Sequence, residues 1–233
     1  MSTDRLPAGA SAVTAGAQPR VEVQVRTVGP LQENCYLVID PATRAAAIVD
    51  PGDDGAELVA WIRTADVRVD AVWLTHAHFD HIGALADVTA AFAVPVHLHP
   101  LDRALFDNAP RAAAMYGLFV EPQPTPGETF ADGQRLTLGT LTFDVMHAPG
   151  HAPGHVVIHG HGVAMVGDCL FQGSVGRTDL PLSDPRALSE SLVRIAALPA
   201  DTVAHPGHGP STTIGLERVH NPFLNGGARV LGG

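Results

Sequence analysis

Apolar and polar residues alternate from Val21 to Val28, the period of a strand with one buried face. Two short apolar runs, Cys35–Ile39 and Ala45–Val49, are parted by the turn-forming pair Asp40-Pro41 and predict two more strands. Asp50-Pro51-Gly52-Asp53 closes that run, and Gly55–Thr64 reads as a helix. Ala71–Thr75 predicts a short apolar strand that delivers the chain to His76. Apolar residues at 82, 85, 88 and 92 lie on one face of a helix over Ile82–Phe92. A strand at Val94–His97 and a short helix at Leu101–Phe106 follow. Residues 107–134, rich in Pro and Gly, have no clear period and are expected to be irregular, a candidate lid or substrate loop. Strands resume at Arg135–Leu138, Leu141–His147, Val156–His159 and Val163–Val166. Pro185–Leu198, with Leu188, Leu192 and Ile195 on one face, predicts a helix, Thr202–Ala204 a last strand and Thr213–His220 a last helix. Each half gives strands and then a helix, which points to an α/β sandwich of two sheets packed face to face with helices outside. Residues 1–20 read as a disordered tail and residues 21–233 as one domain.

Composition narrows the classes. Of the 233 residues 45% are apolar and 16% charged, as in a globular chain with one sizeable core. Fourteen basic against 24 acidic residues give a net charge of −10, a surface that repels nucleic-acid phosphates. Every basic residue is Arg. Two cysteines, Cys35 and Cys169, are too few for a disulfide framework. The first 20 residues hold no apolar signal core, and no stretch has the length of a membrane span, so a cytoplasmic protein is expected. The 13 histidines are the anomaly, because they cluster in short motifs.

The strongest motif is Thr75-His76-Ala77-His78-Phe79-Asp80-His81. Residues two apart in extended chain point the same way, so His76 and His78 can grip one ion. Asp80 and His81, on the turn into a helix, can serve a second. His151 lies between glycines in Pro149-Gly150-His151-Ala152-Pro153-Gly154-His155, again past a strand tip. His155 is expected to support the site or pack in the core. Asp168 ends a strand in Val166-Gly167-Asp168-Cys169, and a carboxylate can bridge two cations with its two oxygens. His208, flanked by glycines in His205-Pro206-Gly207-His208-Gly209-Pro210, is the better ligand of that pair. Cys169, next to Asp168 in extended chain, is expected to face the core and stay inert.

This ordered set resembles the metallo-β-lactamase superfamily, and within it the glyoxalase II (hydroxyacylglutathione hydrolase) group in its short single-domain bacterial form. The likeness runs from about Val23 to Leu224. It implies a four-layer αββα sandwich of two mixed β-sheets. It also implies two divalent metal ions, zinc first with iron or manganese as alternatives. His76, His78 and His151 would hold one ion, Asp80, His81 and His208 the other, with Asp168 bridging and Asp80 orienting the attacking hydroxide. Arg177, nine residues past Asp168, falls where that family binds the thiol's carboxylate. Asp50 resembles a residue that buttresses the first motif by hydrogen bonds, although a simple turn-forming Asp before Pro51 is an equal reading. Two departures stand out. Only 25 residues follow His208, too few for the helical glutathione-holding domain of the full-length enzymes, and Pro210 replaces their tyrosine.

The expected activity is hydrolysis of a small-molecule acyl thioester such as S-lactoylglutathione or a related thiol conjugate, with neither nucleic acid nor membrane as partner. The rival of another class is a mononuclear iron persulfide dioxygenase, which shares the fold and a segment like Gly176-Arg177-Thr178-Asp179. A lactonase is a second rival, with the same chemistry on a cyclic ester. A purely structural metal site needs only four ligands, against the seven candidates here.

Overall fold

The structure, a computed structural model, describes residues 21–230. The expected tail of residues 1–20 lies outside the described residues.

Six strands form the first sheet in chain order: β1 (Glu22–Val28), β2 (Glu33–Ile39), β3 (Ala45–Val49), β4 (Arg68–Trp73), β5 (Val96–Leu98) and β6 (Glu128–Thr129). The first three pair antiparallel and the rest parallel. The second sheet holds β7 (Arg135–Leu138), β8 (Leu141–His147), β9 (Val156–Gly160) and β10 (Val163–Gly167). It is completed past β10 by β13 (Val203–Pro206), which runs parallel to it, and β14 (Thr212–Thr213). Between them in sequence, β11 (Leu170–Phe171) and β12 (Ser174–Val175) make a small hairpin. The helices are α1 (Gly55–Thr64), α2 (Phe79–Ile82), α3 (Leu85–Phe92), α4 (Arg103–Met115), α5 (Pro185–Ala196), α6 (Ile214–His220) and α7 (Pro222–Asn225).

Three apolar clusters define four layers. Alternate residues of each central strand go to opposite faces, the period-two rule of extended chain. From β2, Tyr36 and Val38 enter the cluster between the sheets, while Cys35, Leu37 and Ile39 pack under the helices. Trp73 and Phe143 meet edge to face across the inter-sheet layer, with ring centroids 5.5 Å apart. The outer cluster of the first sheet takes Leu58 and Ile62 of α1, Leu85 and Val88 of α3 and Phe106 of α4. That of the second takes Leu188, Leu192 and Ile195 of α5 and Ile214 of α6. Both faces of the central strands are thus dry, which is why they read as nearly unbroken apolar runs.

Several expectations are corrected. The helix expected over Ile82–Phe92 is two helices, because the Ala84 N–H donates to the Pro51 carbonyl at 3.0 Å instead of to its own helix. The strand before the first motif ends at Trp73, two residues earlier than expected. Residues 107–134 are not irregular throughout. A 3₁₀ turn at Pro100–Asp102 leads into α4, which continues to Met115 despite Pro110 inside it, with Phe106, Ala109 and Ala113 buried on one face. Irregular chain begins at 116 and ends at β6.

Candidate metal centre

The candidate ligands all follow strand ends: His76 and His78 on the loop after β4, Asp80 and His81 in α2 directly behind it, His151 on the loop after β8, Asp168 after β10 and His208 after β13. Each of those strands is locked by core packing, so four loops from two sheets meet in a fixed arrangement. Gly167, at φ 45°, permits the meeting. A Cβ there would lie 2.5 Å from Thr75 Oγ1 and 2.6 Å from His155 Nε2.

Nε2 of His76 lies 3.1 Å from Nδ1 of His78, which lies 2.9 Å from Nε2 of His151. The remote nitrogens fix the tautomers. Nδ1 of His151 donates to the Arg177 carbonyl at 2.9 Å, and Nδ1 of His76 faces Thr75 Oγ1 at 3.1 Å. The Thr75 hydroxyl is itself committed to Asp50 Oδ2 at 2.6 Å, leaving its lone pair for His76. The inward nitrogens of His76 and His151 are therefore bare lone pairs. Burial pushes His76 well below its ordinary range, takes His78 down to about 3 with help from His151, and lowers His151. Neutral imidazoles with converging lone pairs are what a soft or borderline cation requires.

A second group stands beside the first. Asp80 Oδ2 lies 3.3 Å from His208 Nε2 and 3.9 Å from His81 Nε2. His208 Nδ1 donates to the Leu31 carbonyl at 3.1 Å, and His81 Nδ1 faces Asp50 Oδ2 at 3.1 Å. Burial would lower both imidazoles, but Asp168 and Asp80 hold His81 well above the ordinary range and, with the Asp80 hydrogen bond first, raise His208. An ion seated here would take the place of the protons on the inward nitrogens. Asp168 stands between the groups: Oδ1 is 3.5 Å from His81 Nε2, and Oδ2 is 3.5 Å from His151 Nε2 and 3.7 Å from His208 Nε2. Burial would raise the Asp168 carboxyl, but the adjacent His81 overcomes this and holds it well below the usual carboxylate range. Nε2 of His81 and Oδ1 of Asp168 are buried without a hydrogen-bond partner. Such orphans are expensive, and cations between the two groups would satisfy both. The seven residues fit a pair of divalent ions.

Asp50 and His155 support the ligands from behind. Asp50, also within ligand distance of His76 and His81, is already spent: its oxygens accept Thr75 N–H at 2.7 Å, the Thr75 hydroxyl and His81. It is a buttress and not merely a turn. His155 Nε2 accepts the Asp168 N–H at 3.0 Å, and its Nδ1 lies 3.3 Å from Cys169 Sγ. Cys169 is fully buried in the outer core and its thiol donates to the Ala148 carbonyl, so it is not a ligand.

Asp102 and Glu33 carried no signal in the sequence. Asp102 accepts N–H groups from Ala77, at 2.9 Å, and from Gly154, tying the loop of His76 to the loop of His151. Glu33 is buried 3.7 Å from His81 Nδ1, with both carboxyl oxygens unpartnered and its pKa pushed well up by burial. A buried acid is visible as such only once its surroundings are known. The Arg177 backbone carbonyl faces the site, and its exposed guanidinium forms two 2.6 Å bonds with Asp179. Of the remaining histidines, His99 stacks on His147 at 4.2 Å and His205 contacts Ser211.

Two mixed sheets between helices, with a His/Asp cluster past the strand ends that could hold metal ions, define a metallohydrolase architecture. The metallo-β-lactamase superfamily model matches residues 28–208, and the chain belongs to that superfamily. It is 37% identical over 210 residues to the hydroxyacylglutathione hydrolase GloC of Haemophilus influenzae, covering 88% of this chain and 99% of that one. The crystal structure of TTHA1623 in a di-iron-bound form superposes with a TM-score of 0.81 at 47% identity, covering 86% of this chain and all of that one. The BLEG-1 B3 metallo-β-lactamase gives 0.82 at 39% identity, over 87% and 99% of the two chains. Among the described residues no helix is long and apolar enough to cross a membrane.

Proposed function

We propose that residues 21–233 form one cytoplasmic catalytic domain that hydrolyses a small-molecule acyl thioester, S-lactoylglutathione or a related thiol conjugate. The observation that carries this reading is Asp168, whose carboxylate lies within 3.7 Å of ring nitrogens in both ligand groups. His76, His78 and His151 would hold one divalent ion, and Asp80, His81 and His208 the other, zinc before iron or manganese. Such ions, when bound, acidify a water molecule and polarise an acyl carbonyl. Asp80, half-buried at the edge of the site, accepts a hydrogen bond from the attacking water and aims its lone pair. A thiolate leaves without a strong acid, so the chain needs no proton donor of its own on that side. Neither nucleic acid nor membrane is a partner in this reading.

The name of the Haemophilus relative supports the thioester. A mononuclear iron dioxygenase needs two histidines and one carboxylate, and the second complete group beside the first favours the hydrolase. The test pairs elemental analysis with two assays, thioester hydrolysis and thiol-dependent oxygen uptake. Two metal equivalents with hydrolysis are expected. One iron with oxygen uptake would replace the proposal by the dioxygenase.

A further inference from the structure

A cleft of about 130 Å³ opens next to the second ligand group and shares Asp80 with it. Its walls are Val28, Leu31, Phe79, Leu118, Phe119 and Val120. Val28 and Phe79 are buried in the outer core, and Leu118 and Val120 pack on its edge. Phe119 is 84% exposed and Leu31 40%, so two large apolar side chains stand in water at the cleft's rim. Tyr116 extends the same face, its ring 5.5 Å from that of Phe79. The charged residues of the lining are Glu33, Asp53 and Asp80, all acidic, and neither Arg nor His lines it. Arg177 does not line the cleft, and its guanidinium is paired through Nε and Nη2 with the Asp179 carboxylate.

We infer that this cleft binds an uncharged apolar group of the substrate, about four to six carbons in size, and disfavours a thiol that carries carboxylates. The inference rests on the thioester reading above and names its substrate class. Size follows from volume, since an apolar cavity of roughly 150 Å³ takes a benzene ring. Polarity follows from the walls: apolar side chains reward desolvated carbon, and Asp53, exposed at the rim with no Arg or His in the lining, disfavours an anion there. Exposed aromatic and aliphatic side chains beside a reactive centre are explained by a ligand that covers them.

The experiment uses the metal-loaded protein and thioesters of one small uncharged thiol, with acyl chains from acetyl to hexanoyl, against S-lactoylglutathione. Each added methylene should raise kcat/KM about four-fold until the cleft is full. The glutathione conjugate should be the poorer substrate. Binding of the matching thioethers, which cannot be hydrolysed, is measured in parallel by calorimetry. Phe119→Arg, at an exposed position, should flatten the chain-length gain and improve binding of the glutathione thioether. If no thioester turns over while the apolar thioethers still bind in the expected order, the hydrolase reading fails and the cleft assignment stands. If chain length has no effect, or the glutathione thioether binds best to the unaltered protein, the inference is overturned whatever the turnover.

Discussion

Asp50 Oδ2 lies 3.1 Å from Nδ1 of His81, and the same carboxylate holds both the N–H and the hydroxyl of Thr75. One side chain at the end of β3 thereby sets the ring orientation of one ligand and the start of the loop that carries three others. Loss of such an outer partner weakens metal affinity by about 10- to 100-fold. Asp50→Ala should show that loss in chelator competition, with the ion beside His81 released first. Unchanged affinity at both positions would remove the buttress role.

Asp168 and His208 separate a shared ligand from a private one. Asp168→Ala should lower metal content at both positions, whereas His208→Ala should empty mainly one. Elemental analysis after dialysis reads this directly, and equal loss in the two variants would contradict the placement of Asp168 between the groups.

Asp102 joins the two histidine loops through the N–H groups of Ala77 and Gly154. Asp102→Ala strands two buried donors, at about 1–3 kcal/mol each. A drop of that order in urea-unfolding stability is expected, together with weaker metal binding. A stable variant with intact affinity would show that the loops hold themselves.

Acid should weaken the fold through His205, whose pKa burial lowers to about 4 from the ordinary 6.5. The unfolded chain takes up a proton below 6.5 that the folded chain refuses until about 4. Stability from this group is present above 6.5 and declines as pH falls toward 4. Asp102, raised to about 6 by burial, acts in the opposite sense, so the comparison is between His205→Phe and the unaltered protein. The variant should lose less stability between pH 7 and pH 4.5. Parallel losses would place the titration elsewhere.

Arg177 and Asp179 form an exposed pair, and such pairs are worth little to stability. Arg177→Ala should change KM for a carboxylate-tailed thioester by less than two-fold, because the cation is already engaged. Asp179→Ala, which frees it, should lower that KM. A large rise in KM from Arg177→Ala alone would restore the anion clamp.

The seven candidate ligands were legible because each lies within a few residues of a strand end, in a motif whose spacing survives without the fold. The same holds for the strands, whose two dry faces write themselves as apolar runs. Asp102 was not legible: its partners are 25 and 52 residues away, and only the meeting of two loops gives it meaning. Helix α4 runs past the expected end at Phe106 into a stretch whose Pro and Gly content points to irregular chain, because buried Phe106, Ala109 and Ala113 hold the helix through Pro110. Arg177 and Asp179 stand two residues apart in the sequence, but the turn that brings their side chains together is a matter of backbone geometry.

The ligand groups draw on both halves of the sandwich, His76 through His81 from the first sheet and His151, Asp168 and His208 from the second. An ion seated there is a clasp across the seam between the halves. Free metal at a hundred times its dissociation constant would add about 2.7 kcal/mol per site to the folded state. Metal bound there would hold the two halves together as well as supply the chemistry, so a chelator should lower the stability of the fold along with its activity.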